Sequence, residues 1–308
     1  MRRMLLAPLL WIGAAHAGAA LPSSDAAADL YQQHCQRCHG ANRLGGTGPA
    51  LLPESLSRIK PDEIRSVIQN GRPASQMTGY ANVFSPAKID ALVDYLQQPP
   101  ATPPTWNNDD ISGSHSILAD ISKLPDTPQH GADPLNLFVV VEAGDHHINI
   151  LDGDRFEVLA RFASHFAVHG GPKFSPDGRF VYVASRDGWV SLYDLHNLKL
   201  IAEVRAGLNT RNLAVSKDGR WVLVGNYLPG NLVVLDARDL SLVKTIPAIG
   251  QDGTASRVSA VYTAPPRDSF IVALKDVKEV WELSSAGTPD FVPRRIQAED
   301  VLDDFSFS

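Results

Sequence analysis

Cys35-Gln36-Arg37-Cys38-His39 contains the only two cysteines of the chain, three positions apart. A disulfide between them would close almost no loop and constrain little, which favours attachment points over a staple. Two thiols followed at once by an imidazole have the C-x-x-C-H spacing of covalent haem attachment. The thiols add to the haem vinyl groups as thioethers, and the next residue then sits under the iron, where its imidazole nitrogen coordinates the metal. Cys35 and Cys38 are therefore the expected anchors of one haem c, and His39 its first axial ligand. A redox-active dithiol or half of a zinc site are the other readings; a zinc site would need a second pair of ligands, and no second cysteine pair exists.

The sixth ligand expected is Met77, the only methionine beyond the first few residues. It follows Gly71-Arg72-Pro73 and precedes the last helical pattern of its region. A thioether ligand raises the reduction potential and favours electron transfer over oxygen binding. Core filler is the ordinary use of methionine and stands as the alternative. Gly48-Pro49 and Leu51 are expected to wall the haem, and His34 reads as helix filler.

Positioning these groups needs a helical domain, and the pattern over 25–98 is helical. The stretch 26–34 leads straight into the cysteine motif. A second helix is expected over 60–70, with Pro61 in its first turn and Ile64, Val67 and Ile68 on one face. A third is expected over 85–96, with Ser85 and Pro86 at its start and Ile89, Leu92, Val93 and Leu96 as its stripe. Pro99-Pro100-Ala101-Thr102-Pro103-Pro104 then reads as a stiff extended linker, within a connection spanning 99–134. Helix periodicity is not expected beyond it.

From 135 to 308 the chain reads as short strands and turns that repeat. Phe174-Ser175-Pro176-Asp177-Gly178-Arg179-Phe180 returns about 41 residues later as Val215-Ser216-Lys217-Asp218-Gly219-Arg220-Trp221, a period in the range of propeller blades. Each copy continues into a strand ending in aspartate, 189–194 and 232–236, and then a third, 199–204 and 241–246. A weaker copy covers 137–162, and a degraded one starts near 258. Asp-Gly ahead of a β-rich run is a hairpin signal. The fold class expected is multi-domain: a small all-α class I cytochrome c domain, then an all-β propeller with about four blades in the chain. A β-sandwich with accidental similarity is the alternative. Because most propellers have more than four blades, the ring is expected to be incomplete in this chain, as a fragment or completed by another chain.

At the N-terminus, Arg2 and Arg3 precede an apolar run over 5–15 and the small-residue site Ala15-His16-Ala17. Residues 1–17 therefore read as a secretory signal, with an uncleaved anchor as the alternative. The mature chain is expected outside the cytoplasm, in the periplasm of a Gram-negative source, and not membrane-spanning. A formal charge of −6 gives no basic surface for nucleic acid or membrane.

An exported cytochrome c joined through a proline linker to a propeller resembles the cytochrome cd1 nitrite reductases and their haem d1 biogenesis relatives. The most specific stretch is Phe166-Ala167-Val168-His169-Gly170-Gly171-Pro172-Lys173-Phe174-Ser175-Pro176-Asp177-Gly178-Arg179. The resemblance implies an eight-bladed haem d1 propeller, with His169 matching the proximal ligand of the haem d1 iron. A lone loop histidine is otherwise more often simply polar. Haem d1 is rich in carboxylates, so cations are expected around it. Arg186 and Arg211 resemble family arginines; Lys173 and Arg257 are further candidates, and His146 and His147 either approach the pocket or are exposed. Thr78-Gly79-Tyr80 after Met77 departs from the proline and phenylalanine that class I domains often place there. Within the family, Val168 to Lys173 and Gly225-Asn226-Tyr227-Leu228-Pro229-Gly230-Asn231 look most like the dihydro-haem d1 dehydrogenase branch. That branch oxidises dihydro-haem d1 to haem d1 and passes electrons to haem c. The resemblance implies a redox-protein partner, the haem d1 biosynthesis or nitrite reductase proteins as associates, and distal residues beyond Ser308. Nitrite reduction to nitric oxide, and plain electron transfer with a non-catalytic propeller, are the alternatives.

Overall fold

A computed structural model describes residues 24–297, apart from 58, 74, 143 and 169. The expected signal segment, His169 and 298–308 lie outside the described residues.

The N-terminal region is helical. α1 (Ser24–His34) runs into the short α2 (Gln36–His39), followed by α3 (Pro53–Leu56), α4 (Pro61–Asn70) and α5 (Pro86–Gln97). α3, α4 and α5 each begin on proline, whose missing N–H falls where a helix has no acceptor for it. Ile64 and Ile68 of α4 meet Ile89, Leu92, Val93 and Leu96 of α5 around Tyr31 and Phe84. These are the stripes that the 3.6-residue period marks out.

The connection holds more structure than its prolines imply, and the expectation of no further helix is corrected here. α6 (Asn108–Ser114) is a true helix. Asn107 caps it, accepting from the Asp109 and Asp110 amides, while Asp110 accepts from the Asn107 amide at 2.8 Å. This reciprocal box stabilises a helix too short to show periodicity. β1 (Ser116–Ile117) then pairs with the outer strand of the second blade.

Four antiparallel sheets follow in chain order. Blade 1 has β2 (Leu137–Glu142), β3 (His147–Asp152) and β4 (Glu157–Ala163). Blade 2 has β5 (Lys173–Phe174), β6 (Phe180–Ala184), β7 (Trp189–Asp194) and β8 (Lys199–Arg205). Blade 3 has β9 (Asn209–Val215), β10 (Trp221–Leu228), β11 (Asn231–Asp236) and β12 (Leu242–Pro247). Blade 4 has β13 (Val258–Ala264), β14 (Ser269–Leu274), β15 (Glu279–Ser284) and β16 (Arg294–Gln297). Within each blade the strands pair in sequence order, as in a propeller blade. Blade 1 has three strands among the described residues.

The repeated residues have structural work. Ser175 and Ser216 hydroxyls donate to Asp177 and Asp218 two residues on, tightening the Asp-Gly turns. Asp194, ending β7, accepts from the His196 amide and from Arg179 at 2.9 Å, both ion-pair partners being buried. Apolar layers lie between successive blades. Ile148 and Ile150 meet Val181 and Val183; Leu192 and Val204 share a layer with Val222 and Val224; Leu223 and Val234 share one with Phe270 and Trp281. The outer faces of the end blades stay uncovered, with Phe138 and Val158 exposed on blade 1 and Tyr262 on blade 4.

Candidate functional site

The Cys35–His39 motif sits where α1 ends, and α2 supplies the helical turn that its spacing requires. Tyr31, buried on α1, donates its hydroxyl to the carbonyls of His39 at 3.1 Å and Gly40 at 2.7 Å. His39 is itself buried, and its Nδ1 lies 2.8 Å from the Pro49 carbonyl. A carbonyl only accepts, so Nδ1 carries the proton and Nε2 keeps its lone pair for a metal. Burial holds this imidazole below its usual range, against the hydrogen bond to Pro49, and so keeps it neutral. Gly48 lies against the ring: a Cβ there would stand 2.8 Å from His39 Cε1. Cys35 and Cys38 are unpaired, and burial pushes the Cys35 thiol up to about 11. A reactive dithiol needs the opposite shift. Two free thiols beside a neutral, tautomer-fixed imidazole fit a covalently held haem.

Met77 is half-buried in the turn between α4 and α5, its carbonyl accepting from the Arg72 amide at 3.0 Å. His34 packs edge-on against Phe84, which stacks on Tyr80. Sequence reasoning missed Arg43. It is buried and donates to the Tyr95 carbonyl at 2.9 Å and the Gln98 carbonyl at 3.0 Å, fastening the haem loop to the C-terminus of α5.

The expected haem d1 residues converge on the loop between blades 1 and 2. Lys173 Nζ donates to the Gly170 carbonyl at 2.8 Å, and burial lowers its pKa. Gly170 packs on β9, where a Cβ would stand 2.8 Å from Asn212 Cβ and 3.4 Å from the Arg211 carbonyl. The Arg186 amide donates to the Ala167 carbonyl at 2.9 Å, and Val168 bridges Ser185. The Lys173 side chain and the backbone of Arg186 and Arg211 thus come from three elements to adjoin Ala167 and Gly170. Arg186 and Arg211 are half-buried, and Arg211 Nε donates to the Ser259 carbonyl at 3.3 Å. Arg257 stands apart, its guanidinium committed to Asp276 at 2.6 Å. His146 packs on Phe166, while His147 lies 3.3 Å from Asp145. Glu142, Asp145 and His147 cluster, but Arg161 bonds both carboxylates and offsets one of their two charges.

One further feature holds this loop, and another joins the next two blades. His165 stacks on Trp189 with ring centroids 4.2 Å apart and reaches Glu203 at 3.0 Å. Asn226, fully buried, donates to the Ala206 carbonyl and to Asn231 at 2.9 Å each, knitting blades 2 and 3. Part of the family-like 225–231 stretch is therefore structural. Neither feature has a spacing signal, because each joins residues from different strands.

The family described as the cytochrome D1 heme domain matches residues 132–308. The chain belongs to the cytochrome d1 haem domain family. Residues 22–96 match the family described as cytochrome C oxidase, cbb3-type, subunit III. The d1-family chain is 68% identical over 279 residues to the dihydro-heme d1 dehydrogenase of Pseudomonas aeruginosa, covering 91% of this chain and 57% of that protein. It is 26% identical over 313 residues to the nitrite reductase of Stutzerimonas stutzeri, covering 94% and 54%. The solved structure of dihydro-heme d1 dehydrogenase NirN in complex with DHE superposes with a TM-score of 0.85 at 68% identity, covering 91% of this chain and 60% of that one. The chain thus spans a little over half the length of these relatives. No described helix is long and apolar enough to cross a membrane.

Proposed function

We propose that the protein is a periplasmic cytochrome of haem d1 biosynthesis in denitrification, exported by residues 1–17, which oxidises dihydro-haem d1 to haem d1. Cys35 and Cys38 hold haem c, with His39 and Met77 as its iron ligands. His169 ligates the macrocycle's iron. Lys173, Arg186 and Arg211 hold its carboxylates, for which cationic donors are the fitting partners. The observation that supports this reading is that the Lys173 ammonium and the backbone of Arg186 and Arg211 adjoin described residues of the 167–173 loop.

Oxidation removes two hydrogens from a side chain of the macrocycle, releasing two electrons and two protons. Haem c, when held by Cys35 and Cys38, would supply one-electron acceptance, with an external redox protein as the final oxidant. The chain's own residues orient and shield. His165, Trp189 and Glu203 fix the loop. The Pro49 carbonyl and the Tyr31 hydroxyl fix the His39 segment.

Titration of the purified haem c protein with haem d1, followed by visible absorption, tests the assignment. Saturable binding that His169→Ala weakens is the expected result. A protein that shows only haem c and never takes up the macrocycle would be an electron carrier. Nitrite turnover to nitric oxide would make it a reductase.

A further inference from the structure

Arg205 has no part in either expected ligand set, yet it is the side chain that joins the two haem regions. It ends β8, is 8% exposed, and lies in the interior where blade 2, the connection and the haem c loop meet. Its Nη2 donates to the Leu44 carbonyl in the haem c loop. Its Nε donates to the Asp187 carbonyl at 2.8 Å. The guanidinium lies over the Trp106 ring at 4.9 Å, and Trp106 Nε1 donates back to the Arg205 carbonyl at 2.8 Å. The Arg205 amide donates to the Ser114 hydroxyl at 2.9 Å. Gly45, at φ 86°, brings the loop close: a Cβ there would stand 3.4 Å from Arg205 Nη2.

The charged surroundings fit a fixed cation. Burial works against the guanidinium's charge, and Asp187 opposes that effect. Asp187 is buried, takes the Ser185 hydroxyl on one carboxylate oxygen, and leaves its other oxygen without a partner. A desolvated guanidinium held by a ring and two carbonyls in different domains is costly unless those contacts are kept. A planar fork holds its donors in fixed directions toward two carbonyls, a geometry that a compact, freely rotating ammonium does not impose.

The contacts also form a route of hydrogen bonds and intervening backbone. Gly45 N–H donates to the His39 carbonyl at 2.9 Å, and the neighbouring Leu44 carbonyl accepts from Arg205. Arg205 reaches the Asp187 carbonyl, and the adjacent Arg186 amide donates to Ala167 at 2.9 Å. Ala167 is two residues before His169 in sequence.

We propose that Arg205 is the positioning residue that latches the haem c domain to blade 2 and completes a route of hydrogen bonds and backbone between His39 and Ala167. The route rests on the two-haem reading above; the latch does not. Chymotrypsin cleavage after Trp106 in the haem c protein without macrocycle tests the latch. Arg205→Lys and Arg205→Met are expected to speed cleavage about tenfold by opening the connection, with the haem c spectrum unchanged. Arg220→Met, whose guanidinium stacks on Trp221 in blade 3, is the control. If Arg205→Met misfolds, Arg205→Lys alone decides; cleavage within about twofold of wild type in a folded variant overturns the latch. With haem d1 bound, electron exchange between the haems after pulsed reduction is expected to slow about tenfold in Arg205→Lys at unchanged haem c potential. An unchanged rate overturns the route. Failure of the macrocycle to bind would instead overturn the two-haem reading and the route with it, while the cleavage result stands.

Discussion

The haem c site depends on contacts measured in tenths of an ångström, and Gly48 is where that is most testable. A methyl group at this position would stand 2.8 Å from His39 Cε1, inside van der Waals contact. Gly48→Ala should displace the ring from its hydrogen bond to Pro49 and lower covalent haem incorporation, measured by haem staining against total protein. Met77→Leu should leave the haem attached but lower its potential by a sizeable fraction of the ~0.8 V that axial ligands span. A redox titration reads this directly. In the other domain, Lys173→Ala, Arg186→Ala and Arg211→Ala should each weaken haem d1 binding about ten- to a hundredfold, the loss of one charge-assisted hydrogen bond. At this scale the sequence was informative wherever chemistry is written contiguously. Cys35, Cys38 and His39 are adjacent, so their spacing is itself the signal. Arg43 and Arg205 were invisible, because Arg43 reaches the Tyr95 carbonyl 52 residues away and Arg205 the Leu44 carbonyl 161 residues away, and backbone carbonyls leave no mark in residue types.

Among the elements, the hairpin repeat and the amphipathic helices were legible because their periods are local. α6 was not, because seven residues cannot display a period and its stability comes from the Asn107–Asp110 box and from packing on blade 2. The repeated aspartates illustrate the difference between recognising a pattern and explaining it. Asp194 recurs as a strand-ending residue because it turns the chain and holds Arg179 in a buried pair. Asp194→Ala should therefore cost about 1–3 kcal/mol by removing one of the guanidinium's two carboxylate partners, Asp126 remaining at 2.7 Å, read as a fall in the denaturation midpoint. The loop clamp carries a pH signature. Burial raises the Glu203 carboxyl, but His165 and Ser191 more than offset this, leaving it below its ordinary value of 4.5. A depressed carboxylate contributes stability that is complete above that value and lost as pH falls through its folded-state pKa. Urea midpoints measured across the acid range should show this loss in the wild type, and Glu203→Gln should flatten it.

Across the whole molecule, the two domains form one electron-transfer unit only if their relative placement is fixed. Trp106, Ser114 and Leu44 all meet at Arg205, so the connection acts as a fastening more than a tether. The uncovered faces of blades 1 and 4 bear on the propeller. Leu137, Val139 and Val141 of β2 pack toward blade 2, while the alternating Phe138 and Val140 face outward and are exposed. Apolar side chains on both faces of a blade are what a ring with neighbours on either side requires. In the proposed function, electrons leave a haem d1-type site through haem c. Anaerobic addition of dihydro-haem d1 to the full protein with oxidised haem c tests it most directly. Haem c is expected to become reduced, with two equivalents of reduction per macrocycle converted. Macrocycle that binds and converts while haem c stays oxidised would contradict it.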